Sequence, residues 1–115
     1  MELTGKTLKD FWIWYLLPEQ QKEYKTKSLI KFGNENSAKV RFLAMSFTER
    51  YGVYVDFFES EGLNLFINYS EGYAIGSKVG FYYTIDYMSF ESSKSTRKEA
   101  RESAIKKVNE IYNNK

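Results

Sequence analysis

The stretch FWIWYLL, residues 11–17, sets two tryptophans, a phenylalanine and a tyrosine in an unbroken apolar run that stops at Pro18. A helix that crosses a bilayer needs about 20 apolar residues, so this run is too short to span one. It must be covered by the rest of the chain, by another molecule, or by both. Thr7, with Asp10 three positions on, predicts a helix start, and Leu8, Phe11, Trp12 and Tyr15 fall on one helical stripe. Ile13, Trp14, Leu16 and Leu17 lie off that stripe, which makes the segment apolar nearly all round. The expectation is that Phe11, Trp12 and Tyr15 are buried, while Trp14 and Leu17 are offered to a protein partner, since large aromatic anchors dominate interface energetics. Complete burial beneath residues 19–41 is the competing expectation.

The remainder of the chain predicts the cover. Ile30 and Phe32, then GNEN, then Ala38, Val40 and Phe42 alternating with Lys39 and Arg41, suggest a hairpin turning at 33–36. Ser37 capping a helix over AKVRFLAM is the alternative for the same residues. Ser46 and Glu49 make a capping box, followed by Phe47, Tyr51, Tyr54, Val55 and Phe58 at helical spacing and by Gly62 as the stop. Gly52, mid-helix, costs about 1 kcal/mol relative to Ala and suggests the close approach of something large, such as a tryptophan ring. Residues 63–70 and 80–90 read as antiparallel strands, with Tyr73 and Ile75 hinting at a third between them. Thr96 and Glu99 start a final helix whose stripe is Ala100, Ala104, Ile105, Val108, Ile111 and Tyr112. The fold expected for residues 1–115 is therefore a single α+β domain. Its helices pack on one face of a small two- to three-stranded antiparallel sheet, in the order α, β-hairpin or loop, α, β, β, α.

The chain has no cysteine and no histidine. Disulfides, thiolate nucleophiles, zinc sites built on these residues and histidine acid/base pairs are thereby excluded. What remains for catalysis is carboxylate chemistry: Asp56, Glu59 and Glu61 near a helix end, and Asp86 on a strand, as a conceivable Mg²⁺ set. The polar side of any amphipathic helix offers such pairs, and a solvated face is the preferred reading. Glu23-Tyr24-Lys25 matches the E-x-K end of a nuclease motif, without an acidic residue suitably placed before it. Glycine-rich phosphate loops and serine-activating motifs are missing from the sequence. The expectation is a protein that is not an enzyme, uses no cofactor or metal, and has no small-molecule substrate.

Charge is unevenly distributed. Residues 1–41 carry eight Lys or Arg against five Asp or Glu, residues 42–90 two against six, and residues 91–115 seven against four. The sharpest basic feature is Lys94, Arg97, Lys98 and Arg101 around the start of the last helix, a candidate contact for nucleic acid or for an acidic partner. Phe81, Tyr83, Ile85 and Tyr87 alternate on one strand face, where they serve either as a stacking surface or as the core layer of the sheet. Helix, strands and then SKSTRKEAR over residues 46–113 resemble the second half of a double-stranded-RNA-binding domain. That resemblance implies phosphate contacts by Lys94, Arg97, Lys98 and Arg101. The chain departs from that family in lacking a histidine-containing strand-linking loop and in placing Glu99 and Glu102 among the cations.

MELTGK with its aromatic helix, ERYGVYVDFFESEGL, and STRKEARESAIKKVNEIYNN together resemble a set of short proteins encoded by phages and prophages of Bacteroidetes. The likeness covers residues 1–15 and 45–114 and leaves 18–42 outside it. It implies a context rather than a site: a cytoplasmic, stoichiometric inhibitor of a host protein or ribonucleoprotein, such as a defence nuclease or CRISPR effector. No membrane association is expected, and RNA binding is the alternative.

Overall fold

The computed structural model describes residues 1–24, 35–70, 79–86, 88–89 and 93–115. Among them the order is α1 (Gly5–Tyr15), α2 (Pro18–Tyr24), α3 (Glu35–Ala44), α4 (Phe47–Ser60), β1 (Leu65–Ser70), β2 (Gly80–Ile85), β3 (Met88–Ser89) and α5 (Arg97–Asn113). The strands form one antiparallel sheet in the order β1-β2-β3. Helices pack on one face of it, as the sequence leads one to expect. The suggested strand around Tyr73 and Ile75, the first hairpin arm at Ile30 and Phe32, and Tyr87 lie outside the described residues.

α4 begins as its sequence dictates. The Glu49 backbone N–H donates to Ser46 Oγ at 3.2 Å, and the Ser46 N–H returns to Glu49 Oε1 at 3.2 Å. The helix ends with Gly62 at φ +82°. There the Gly62 N–H donates to the Glu59 carbonyl and the Leu63 N–H to the Phe58 carbonyl, the paired bonds of a left-handed helix stop. α5 opens with Thr96 Oγ1 accepting from the Glu99 N–H at 3.1 Å; Ser95 and Thr96 hydroxyls both donate to Glu99 Oε1.

In the sheet, Leu65 pairs with Ile85, Ile67 with Tyr83 and Tyr69 with Phe81, so these share the face that α5 covers. Tyr83 and Ile85 are buried there, which assigns those residues to the core layer. The strand expected over 80–90 is instead broken at Asp86, whose φ of 51° turns the chain into β3. Asp86 is held in this conformation by Asn64. Its Oδ1 accepts from the Asn64 N–H at 2.9 Å and from Nδ2 at 3.2 Å, while its own N–H donates to the Asn64 carbonyl.

α4 and α5 lie side by side and run in the same direction, because Lys98 sits over Phe47, Arg101 over Tyr51, and Tyr112 beside Phe57 and Phe58. α1 starts at the far end of α5 and passes over α4. Phe11, fully buried, is the hub, with ring centroids of Phe42, Tyr54, Phe57 and Tyr15 between 5.1 and 5.6 Å away. Burying a large apolar side chain is worth roughly 1.5–3 kcal/mol, and each ring pair about 0.5–1.5 kcal/mol more, so this cluster dominates the favourable energetics.

Five expectations are corrected. Residues 35–44 are helical, not the second arm of a hairpin: Ala38 and Phe42, one turn apart, point into the ring cluster, while Val40 between them is 66% exposed. Packing of Phe42 against both Phe11 and Tyr54 outweighs the local alternation. Ser37, the alternative cap, sits inside that helix rather than at its start. At the amino end, Thr4 rather than Thr7 is the residue that precedes α1, and Thr7 is fully buried within it. Gly52 is exposed with nothing within 4 Å of where a Cβ would stand, so no ring approaches it. Trp12 is only partly buried, capped by Lys39 with its Nζ 5.3 Å from the ring.

Candidate interaction surfaces

Two ends of α5 handle their polar groups in opposite ways. At the carboxy-terminal end every key group of α1 finds a partner on α5. Thr4 makes no side-chain cap bond within its own helix. Instead its N–H donates to Asn109 Oδ1 at 3.0 Å, and Asn109 Nδ2 donates back to Thr4 Oγ1 at 2.9 Å. Asn113 Oδ1 accepts from the Thr7 N–H at 2.9 Å and lies 2.8 Å from Thr7 Oγ1, whose proton can also reach the Asn109 carbonyl at 3.2 Å. Asparagine side chains from the other end of the sequence thus do the work of an N-cap. Gly5, at φ +58°, completes the fit, since a Cβ there would meet Asn113 Oδ1 at 3.1 Å. Tyr112 donates to Asp10 Oδ2 at 2.8 Å, and burial, that hydrogen bond and the nearby Glu61 carboxylate push its hydroxyl well above the usual tyrosine range. The LTGK opening and the NEIYN tail are therefore the two halves of one structural clasp.

At the amino-terminal end of α5 the cations face rings instead of anions. Lys94 is fixed by a two-bond bridge with Phe81: each N–H donates to the other's carbonyl at 2.9 Å. The Arg97 guanidinium lies 5.6 Å from the centre of Phe81, Lys98 Nζ 5.2 Å from Phe47, and the Arg101 guanidinium 5.0 Å from Tyr51. Arg97 and Lys98 are exposed, whereas Lys94 and Arg101 are half-buried. None of the four is in an ion pair among the described residues. Arg101 Nε, like that of Arg41 and of Arg50, is out of solvent and has no hydrogen-bond partner among the described residues. Burial raises the Tyr51 hydroxyl to about 12, against the opposing pull of Arg101. Tyr54 is likewise lifted to about 12 by burial, with Arg50 lowering it and Glu2 raising it.

The proposed protein-contact residues separate. Trp14 is half-buried, its ring 5.5 Å from that of Phe57 and 6.1 Å from that of Phe11. Leu17 is 41% exposed. Other outward apolar residues are Ile13 (58%), Val40 (66%) and Leu43 (63%), on the sides of α1 and α3 turned away from the ring cluster, and Phe66, Tyr69, Val79 and Met88 on or beside the sheet. Had 35–44 been read as a helix, Val40 and Leu43 would have stood opposite Ala38 and Phe42. The acidic residues do not converge. Asp56, Glu59 and Glu61 are exposed on α4, Asp86 is engaged by Asn64, and no group of three or more potential metal ligands occurs among the described residues. Glu23 lies in α2 rather than on a strand, and Lys25 falls outside the described residues. No described helix is long and apolar enough to cross a membrane.

Comparison with known proteins adds no assignment: no protein-family model, no curated protein and no solved structure matches this chain.

Proposed function

We propose that this chain is a non-catalytic binding protein, a stoichiometric inhibitor acting in the bacterial cytoplasm on a host protein of the kind that its likeness to phage proteins implies. The observation that carries the reading is the set of aliphatic side chains Ile13, Leu17, Val40 and Leu43. Ile13 stands outward on α1 and Val40 and Leu43 on α3, helices whose other sides pack around Phe11 and Phe42, and Leu17 lies in the turn that follows α1. Single exposed aliphatics are ordinary, but four on and beside two helices joined through the Phe11–Phe42 contact offer apolar area that a protein surface can cover. Leu17 belongs to this set, while Trp14 supports it from behind through Phe57.

RNA is the second reading, favoured by the helix, three strands and helix of residues 47–113 with Arg97, Lys98 and Arg101 at the start of α5. Against it stands the charge of the neighbouring helix faces: Glu49, Asp56 and Glu59 are exposed on α4, and Glu99, Glu102 and Glu110 on α5. A duplex laid along these helices meets that negative charge with about one phosphate per 1.7 Å of its axis.

The test is capture of partners from bacterial lysate with the full chain, followed by reconstitution with the purified partner. A one-to-one complex that is lost on Leu17→Asp with Leu43→Asp is expected. Turnover of any substrate by the purified chain, abolished by replacing one acidic residue, would overturn the reading.

A further inference from the structure

We infer that the start of α5 is an anchoring site for an acidic, carboxylate-rich segment of the protein partner; this rests on the protein-binding reading above. Lys94, Arg97, Lys98 and Arg101 stand together in sequence around the start of α5. The Lys94 backbone is bridged to Phe81, and the side chains of Arg97, Lys98 and Arg101 are oriented against Phe81, Phe47 and Tyr51. A cation seated on a ring keeps its charge and its outward N–H donors, and it has less side-chain freedom to lose when an anion arrives. None of the four is neutralised by a carboxylate among the described residues.

Two features select a peptide over a nucleic acid. The ring faces a base would stack on are occupied by the protein's own cations, so stacking would have to displace them. Glu49, Glu99 and Glu102 flank the surface, and Glu99 Oε1 is held at the helix start by Ser95 and Thr96. A peptide can place neutral or basic residues opposite these carboxylates, whereas a phosphodiester backbone carries charge at every step. Arginine forks suit carboxylates in a bidentate manner, which gives direction as well as charge.

The experiment follows the backbone amides of residues 94–101 by NMR in the intact protein during titration with a short Glu-rich peptide, a short RNA duplex and inorganic phosphate. The peptide is expected to shift these amides selectively, with affinity falling about tenfold or more in Arg97→Glu with Lys98→Glu, and rising in Glu102→Lys. Both positions changed in the double variant are exposed, so an unaltered melting temperature separates lost binding from lost fold. No shift with the peptide, or equal response to inorganic phosphate, or tighter binding of the duplex, each overturns the proposal. If partner capture survives the charge-reversed pair but not Leu17→Asp with Leu43→Asp, the anchor fails and the protein-binding reading stands. If capture survives both variants, neither surface carries the contact and the anchor fails; if the unaltered chain captures nothing, the protein-binding reading itself fails.

Discussion

The two ends of α5 differ in what their polar groups are left to do. At Asn109 and Asn113, donors and acceptors are matched across more than a hundred residues of sequence. At the start of α5, the charges of Arg97, Lys98 and Arg101 are positioned by rings and remain without counter-ions among the described residues. Internal satisfaction marks a structural site, and positioned but unmatched groups mark a surface of contact. This contrast also separates the two halves of the terminal motifs: NEIYN holds the fold, and STRKEAR faces outward.

The contrast is broken most severely at the clasp. Asn109→Ala with Asn113→Ala strands the Thr4 and Thr7 N–H groups and takes from the buried Thr7 hydroxyl its nearest acceptor, so a loss of roughly 2–5 kcal/mol in urea unfolding is expected. A loss below about 0.5 kcal/mol, the ordinary range for surface changes, would mean the clasp is incidental. Gly5→Ala comes next. It places a Cβ in the left-handed region and against Asn113 Oδ1, for an expected cost of about 1–2 kcal/mol by thermal unfolding.

Alkaline titration sharpens the comparison at the level of single hydroxyls. Tyr51 and Tyr54 ionise near 12 in the fold, against about 10 in an unfolded chain. Because their folded values are raised, their contribution to stability is complete below pH 10. It declines as pH climbs from about 10 to 12, where the unfolded chain sheds protons that the fold retains. Absorbance of tyrosinate against pH checks this, and Arg101→Met should push Tyr51 higher still by removing the cation that opposes its burial. Smallest of all is the stability effect of Arg97→Glu with Lys98→Glu. Both side chains are exposed, so a change within about 0.5 kcal/mol is expected on calorimetry, beside a large change in binding.

Much of this was legible from local chemistry alone. The Ser46 and Glu49 box, the Gly62 stop and the Thr96 start are decided by neighbours within a turn or two, and all three occur as their spacing implies. Tyr83 and Ile85 facing the core follows from strand alternation. What was not legible depends on distant residues. Thr7 looks like a cap because its hydroxyl and N–H need partners, but those partners are Asn109 and Asn113, which no local window contains. Residues 38–42 alternate like a strand and pack like a helix, because Phe42 is wanted among Phe11, Tyr15 and Tyr54. Basic residues at the start of α5 are visible in the sequence. That Arg97, Lys98 and Arg101 each lie over a particular ring is a tertiary fact.

Central to the account is that one end of α5 is spent on stability and the other on contact. Paired urea unfolding of Asn109→Ala with Asn113→Ala, and of Arg97→Glu with Lys98→Glu, tests this most directly. The account predicts a midpoint that falls sharply for the asparagine pair and stays where it was for the charge-reversed pair. Equal losses in the two variants, or a larger loss at Arg97 and Lys98, would contradict it.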